Sequence, residues 1–199
     1  MPETLPDGRR LVLASTSPFR RELLARLGLP FSTQAPDVDE SPWPGEDAPT
    51  LTARLAERKA RAVARREPAA LIIGSDQAAV LDGAIIGKPG NHQEATTQLR
   101  RASGRTVIFY TGLCLLDGAS DQCWTMVEPF QVVFRSLTAE MIDRYLRRER
   151  PYQCAGGFKS EGLGIALFER LEGDDPTSLI GLPLIRLTRM LEAAGVAVL

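Results

Sequence analysis

Arg20 and Arg21 follow Ser15-Thr16-Ser17-Pro18-Phe19, which itself follows the apolar run Leu11-Val12-Leu13. The run reads as a short buried strand. Ser17 can cap a helix that begins at Pro18, because proline at the first helical position gives up no hydrogen bond. Leu23, Leu24 and Leu27 supply an apolar stripe, and Gly28 with Pro30 ends the helix. Hydroxyls, unpaired backbone N–H groups, the positive helix end and guanidinium groups therefore meet at one strand-to-helix turn. Such a turn can hold phosphate. A capped surface helix with solvated arginines accounts for the same residues, and the local pattern does not choose between them.

The lysines narrow the choice. Of 24 basic residues only Lys59, Lys88 and Lys159 are lysines, so arginine serves as the generic surface cation of this chain. A lysine retained against that usage is either a chance survivor or marks a place for a compact point charge, as at a phosphate, and the settings favour the second. Lys88 stands in Ile86-Gly87-Lys88-Pro89 and Lys159 in Gly156-Gly157-Phe158-Lys159-Ser160-Glu161-Gly162, both glycine-bearing loops. Lys59 falls on a helical pattern, where a solvated face is the ordinary alternative.

Carboxylates supply the other half of the chemistry. Asp76 follows the apolar run Leu71-Ile72-Ile73 and Gly74-Ser75, at what reads as the end of a central strand. That is a natural position for a general base or a metal ligand, and equally for a turn cap. Asp37, Asp39 and Glu40 lie in an acidic, proline-rich loop. Their oxygens suit Mg²⁺ or Mn²⁺, and solvation explains them as well. His92, the only histidine, begins an exposed helix and takes no role. A Ser-His-Asp triad and histidine-based zinc hydrolysis are thereby excluded. Neither Gly-x-x-x-x-Gly-Lys-[Ser/Thr] nor Gly-x-Gly-x-x-Gly occurs, so nucleotide chemistry must use another scaffold.

Composition bounds the rest. The 199 residues, 44% hydrophobic and 25% charged, suit one large domain or two tightly joined lobes with a core that needs no staple. A net charge of −1 argues against a dedicated nucleic-acid surface. Met1 to Arg10 lacks the apolar core of a leader, and no segment approaches a membrane span, so no membrane partner is expected. Cys114, Cys123 and Cys154 are odd in number with no Cys-x-x-Cys, which suggests neither zinc nor a disulfide framework. They read as small core residues in a reducing cytoplasm. With none assigned to a site, activity should resist thiol reagents.

The elements that must position these groups alternate along the chain. Phe31 to Gln34 suits a second strand, and Thr50 is placed as the cap of a helix carrying Leu51, Leu55, Lys59 and Val63. Asp82-Gly83 between Val80-Leu81 and Ile85-Ile86 signals a hairpin. Asn91 with Glu94 resembles a capping box for a helix to about Ala102. Val107 to Leu116 and Cys123 to Phe134 are long strands. Thr138 caps a helix through Arg148 with Met141, Ile142, Tyr145 and Leu146 inward. Strand material around Ile165 to Phe168 precedes a last helix from Pro183 to about Ala194. Parallel βα units mixed with hairpins imply an α/β fold with a mixed sheet flanked by helices.

Taken in order, Leu13-Ala14-Ser15-Thr16-Ser17-Pro18-Phe19-Arg20-Arg21, Asp39-Glu40, Leu55-Ala56-Glu57-Arg58-Lys59-Ala60, Gly74-Ser75-Asp76-Gln77, Gly87-Lys88-Pro89 and Phe158-Lys159-Ser160-Glu161-Gly162 resemble the motifs of Maf-type nucleoside triphosphate pyrophosphatases. The resemblance runs from about Leu11 to Gly195. It implies a single domain over residues 1–199, with an elongated mixed β-sheet, two lobes and a cleft, similar in fold to the inosine triphosphate pyrophosphatases. It implies hydrolysis of a nucleoside triphosphate to the monophosphate and pyrophosphate, water attacking at the α-β phosphoanhydride with a divalent cation, Mg²⁺ or Mn²⁺.

Asp76 matches the family's catalytic proton acceptor, and Glu40 joins it as a metal ligand. Ser15, Arg20, Arg21, Lys59 and Lys88 match phosphate-binding positions. Phe19, Gln77 and Glu161 stand where branches of the family differ and place the chain nearest the 7-methyl-GTP branch. Phe19 offers an aromatic face to a cationic methylated guanine, Glu161 a carboxylate to its paired donors, and Gln77 an amide to a remaining edge. A dTTP/UTP pyrophosphatase, or a nucleotide-binding regulator of cell division without turnover, are the alternatives. The family's common assembly is a homodimer, and the sequence displays no interface for one.

Overall fold

The apolar run at the start folds as read: Leu11–Ala14 is β1, fully buried, and Ser17 caps α1, Pro18–Ala25, by accepting from the Arg20 N–H. The structure is a computed structural model that describes residues 4–199. Met1 to Glu3, part of the stretch expected to lack a leader, lie outside the described residues. Ser32–Gln34 is β2, Leu71–Leu81 β3, Ala84–Ile86 β4, Thr106–Asp117 β5, Cys123–Phe134 β6 and Phe168–Glu172 β7. They form one seven-stranded sheet, ordered β2-β1-β3-β5-β6-β7, with β4 paired to β3. β1 runs parallel to β2 and β3, and the remaining pairs are antiparallel. The remaining helices are α2, Ala48–Ala64; α3, His92–Ala102; α4, Ala139–Glu149; α5, Pro176–Ile180; and α6, Leu184–Ala193.

Strand alternation sorts side chains onto the two faces of the sheet. Leu11, Leu13, Leu71, Ile73, Leu113 and Leu115 turn to one face, covered by Leu23 and Leu24 of α1 and Leu187 and Leu191 of α6. Val12, Ala14, Ile72, Cys114 and Leu116 turn to the other, under Ala56, Ala60 and Val63 of α2. Each fully buried leucine or isoleucine contributes about 1.5–3 kcal/mol relative to exposure. A further core at the far end joins Phe109, Phe134, Phe158 and Phe168 to Leu99 of α3 and Leu146 of α4. Its phenylalanine rings meet edge to face at centroid distances of 5.0–5.5 Å. β3, with 11 residues, spans about 36 Å at the strand rise and runs through both ends. This is the elongated mixed sheet expected, with helices packed around it.

α2 lies almost on the backbone of the sheet. A Cβ on Gly74 would fall 2.0 Å from the Ala56 carbonyl oxygen, and one on Gly112 would fall 2.1 Å from that of Thr52. Only glycine permits that approach at either position.

The structure departs from the sequence expectations at several elements. β3 continues through Gly74-Ser75-Asp76-Gln77 to Leu81 without a break, so Asp76 is inside a strand rather than at its end. Its ladder partner is Gly112. Asp47, not Thr50, caps α2: its carboxylate accepts from the Thr50 N–H at 2.9 Å, and Pro49 occupies the first turn, where no donor is needed. Asn91 accepts from the Glu94 N–H at 2.9 Å, giving the forward bond of a capping box. Leu163–Leu167 is a 3-10 turn with Ile165 exposed, and strand pairing starts only at Phe168. α5 has five residues, too few to show a helical period. Of the cysteines only Cys114 is buried; Cys123 and Cys154 are half-buried. Among the described residues no helix is long and apolar enough to cross a membrane.

Candidate functional site

The parity of β3 builds the site. Ile72, Gly74 and Asp76 share the face under α2, so Asp76 emerges one step beyond the glycine that lets α2 come close. Lys59 points down from α2 at that step. It is 5% exposed and Asp76 8%, and Lys59 Nζ donates to Asp76 Oδ1 at 2.6 Å. Glu40, from the acidic loop, brings Oε1 to 2.6 Å from the same Nζ. The solvated face, the ordinary alternative for Lys59, gives way to a buried ammonium between two carboxylates. Burial would raise the Glu40 pKa, but the hydrogen bond and charge of Lys59, with Lys88 and Arg20 beyond, outweigh it and hold the carboxyl below its ordinary value.

Ser75 and Gln77 take the opposite face and meet α5. Ser75 Oγ donates to the Gly181 carbonyl at 2.9 Å. Gln77 Nε2 donates to the carbonyls of Ser178 at 2.8 Å and Leu179 at 3.1 Å, and lies 3.1 Å from Thr111 Oγ1. Both carbonyls can only accept, which fixes the amide orientation. The Gln77 NH₂ is therefore spent on the protein, and only its oxygen is left for a ligand. The Gln77 NH₂ group thereby holds α5 against the sheet.

Arg20, on the first turn of α1, donates from Nε to the same Gly181 carbonyl at 2.8 Å. Its terminal nitrogens have no protein hydrogen bond among the described residues. Burial pulls its pKa below the ordinary arginine value, and the charges of Asp76 and Glu40 act the other way. Ser15 is 7% exposed, and its Oγ accepts from the Ser17 N–H at 3.1 Å.

These groups line one cleft of about 880 Å³, within the range of ligand pockets and roomy enough for a nucleotide. Ser15, Arg20, Lys59, Lys88, Asp76 and Glu40 all contribute to its wall. Phe19, Gln77 and Glu161 line it too. Phe19 belongs to none of the core clusters and faces the cleft. Asp37 lines the cleft, whereas Asp39 turns back to accept from the Ser41 N–H at 3.0 Å. Arg21 is exposed on α1 and does not line the cleft, so the structure does not bring it to the other phosphate candidates. Lys159 also stays outside, with Nζ 3.6 Å from Glu149 Oε1. Cys154 does line the cleft, contrary to the expectation that no cysteine belongs to the site. Burial raises its pKa, and Glu161 adds to the effect.

One wall was not read from the sequence at all. Asp175 is 1% exposed. Its Oδ1 accepts from the Thr177 N–H at 2.9 Å and its Oδ2 from the Ile185 N–H at 2.8 Å, so one buried carboxylate caps α5 and ties down the start of α6. That sets Leu179 and Ile180 along the cleft. Asp175-Pro176 carries the cap-then-proline signal that marks Ser17-Pro18, and Gly181-Leu182-Pro183 a stop.

Glu40 and Asp76 suit a hard divalent cation, which takes one or two carboxylates and completes its shell with water and phosphate oxygens. Among the described residues no group of three or more His, Cys, Asp or Glu side chains is placed to hold a metal. A cation here would rest on those two carboxylates and the substrate.

A mixed α/β sheet whose cleft pairs buried cations with carboxylates is a site for a polyanion. The Maf-like protein family matches residues 10–194, and the chain belongs to that family. It is 64% identical over 194 residues to the 7-methyl-GTP pyrophosphatase of Nitrosococcus oceani, covering 98% of each chain. It is 56% identical over 194 residues to the 7-methyl-GTP pyrophosphatase of a Polaromonas species, covering 96% of this chain and 88% of that one.

Proposed function

We propose that this protein hydrolyses 7-methyl-GTP to 7-methyl-GMP and pyrophosphate, as a single domain acting on a free nucleotide. The observation that carries the reading is the convergence of Arg20, Lys59 and Lys88 on Asp76 and Glu40 in a nucleotide-sized cleft that Phe19 and Glu161 also line. The names of the two relatives supply the substrate.

Lys59 fixes the Asp76 carboxylate through Oδ1. Oδ2, with no protein hydrogen bond among the described residues, is the atom that accepts the proton of the attacking water. The water oxygen bonds to phosphorus, the α-β bridging bond breaks, and pyrophosphate leaves. Arg20, through its free terminal nitrogens, and Lys88 neutralise charge on the departing group. Glu40 and Asp76 would hold Mg²⁺ or Mn²⁺, which would supply further charge neutralisation at the phosphates. Phe19 offers its ring to the cationic base, and Glu161 accepts from its N1–H and exocyclic amine. Gln77 acts on the base through α5, whose Leu179 and Ile180 it holds in the wall.

Pyrophosphate release from 7-methyl-GTP, GTP, dTTP and UTP, with Mg²⁺, Mn²⁺ or excess chelator, tests the reading. The expected result is a preference of about tenfold or more for 7-methyl-GTP, which corresponds to about 1.4 kcal/mol of differential binding, and loss of activity in chelator. Equal turnover of dTTP or UTP would remove the substrate assignment, and full activity in chelator would remove the cation.

A further inference from the structure

Cys114 and Cys123 are separated in sequence by the β5–β6 turn, yet the sheet register brings them together. Cys114 pairs with Thr125 across the ladder, and Cys123, two residues before Thr125, projects from the same face. Their sulfurs are 3.3 Å apart. The pair lies under α2, where Cys114 packs with Ala56 and Ala60, and neither cysteine lines the cleft. The two are unequal. Cys114 is fully buried and Cys123 half-buried at the sheet margin, beside Thr125 Oγ1 at 3.4 Å. The contact with Cys114 holds the Cys123 thiol below its ordinary pKa, while the same contact and burial raise that of Cys114. Glu57 and Arg61 of α2 are the charged groups that face them, and Arg61 also reaches Asp121 of the turn at 2.7 Å.

We propose that Cys114 and Cys123 form a reversible thiol–disulfide site, with Cys123 as the peroxide-reactive sulfur and Cys114 as its resolving thiol. The step needs a peroxide as oxidant. The Cys123 thiolate takes one peroxide oxygen, the O–O bond breaks and hydroxide leaves, giving a sulfenic acid. The Cys114 sulfur then bonds to the Cys123 sulfur, the S–O bond breaks, and the hydroxyl leaves as water with the Cys114 proton. Peroxide is reduced and two thiols are oxidised. The buried partner captures the sulfenic acid before a second peroxide can carry it to the irreversible sulfinic state.

The sequence makes the test clean. No Lys or Arg occurs between Thr106 and Arg135, so trypsin releases both cysteines on one peptide, and cleavage before Asp117 and Asp121 separates them. The folded full-length protein is treated with limiting hydrogen peroxide, alkylated after unfolding, and mapped by mass spectrometry. The expected result is a tryptic peptide lighter by two hydrogens and unalkylated. Cutting at Asp117 and Asp121 should leave its halves joined until a reductant is added. Cys123→Ser should leave Cys114 fully alkylated after the same treatment, whereas Cys154→Ser should not change the cross-link. A sulfinic acid on Cys123 with Cys114 still alkylated, or Cys123 linking two chains, would overturn the proposal.

Discussion

Asp76→Asn and Lys59→Met separate catalysis from stability at one ion pair. The amide introduced by Asp76→Asn keeps an oxygen that accepts from Lys59 Nζ, and Lys59 keeps Glu40 at 2.6 Å, so the folded state loses little. The variant does lose the carboxylate proposed to accept the proton. Removing a general base lowers turnover by about a hundredfold or more, or about 2.7 kcal/mol at the transition state. Lys59→Met adds a loss of stability to the loss of the cation that fixes Asp76. Methionine occupies much of the lysine's path, but Asp76, 8% exposed, is left without its cation. Breaking a buried pair costs about 3–5 kcal/mol. The lower end applies here, because Glu40 has a side chain 57% exposed and the cleft admits water on one side.

The double variant, with no buried charge to strand, should be more stable than Lys59→Met alone. Urea unfolding measures the stabilities, and pyrophosphate release from 7-methyl-GTP measures turnover. Near wild-type turnover in Asp76→Asn would take Asp76 out of the mechanism. Additive stability losses in the double variant would show that Lys59 and Asp76 are not coupled in the folded protein.

Further outcomes follow from the same geometry. Gly74→Ala forces a methyl to within 2.0 Å of the Ala56 carbonyl and should cost about 1–3 kcal/mol by urea titration. It should lower turnover as well, because α2 must shift and carries Lys59; wild-type stability would mean that α2 does not lie on the sheet. Glu46, bonded to Arg54 Nε at 2.6 Å, is held at about 2 against an ordinary 4.5. A depressed acid stabilises fully above its unfolded value and loses that contribution as pH falls from about 4.5 towards 2. Glu46→Gln should flatten that part of the urea-midpoint curve, and an unaltered acid limb would show that the pair contributes nothing. Alkylation of Cys154 places a bulky group in the cleft, so iodoacetamide should inhibit wild type, bound substrate should protect, and Cys154→Ser should be resistant. Inhibition of Cys154→Ser at the wild-type rate would assign the effect to another cysteine.

The strand–helix unit at Leu11 to Ala25 was legible because each local signal agrees with the tertiary answer: cap, proline, stripe and stop all fall where the fold wants them. Where two residues offered the same signal, locality did not decide. Asp47 and Thr50 are both good caps, and Asp47 wins because Ala48 and Leu51 are wanted in the core. Arg21 shows a signal that was present but not used. Neighbours on a helix point about 100° apart, so Arg20 and Arg21 cannot both face one cleft. The 3.6-residue period allows only one, and the Gly181 carbonyl holds Arg20. α5 lay beyond reach for a different reason: with five residues, it is held by Asp175, Gln77 and Thr111 rather than by its own pattern.

The segment Gly74-Ser75-Asp76-Gln77 shows most clearly what a pattern of residue types leaves out. Small and polar residues after an apolar run carry every mark of a strand ending in a turn. They are in fact strand, because both faces of β3 are occupied there by backbone. α2 presses on Gly74 from one side, and the Gly181 and Ser178 carbonyls of the α5 segment receive Ser75 and Gln77 from the other. A larger apolar residue at Gly74 would push the helix away, and one at Ser75 or Gln77 would leave the Gly181 carbonyl with Arg20 alone or the Ser178 carbonyl with Thr111 alone. Polarity in this stretch is a requirement of the interior, and Asp76 is exposed to the cleft only because its neighbours are used up in this way. The same period-two alternation that makes a strand assigns Asp76 to Lys59 and Gln77 to α5. Gln77 thus shapes the cleft by fixing its α5 wall.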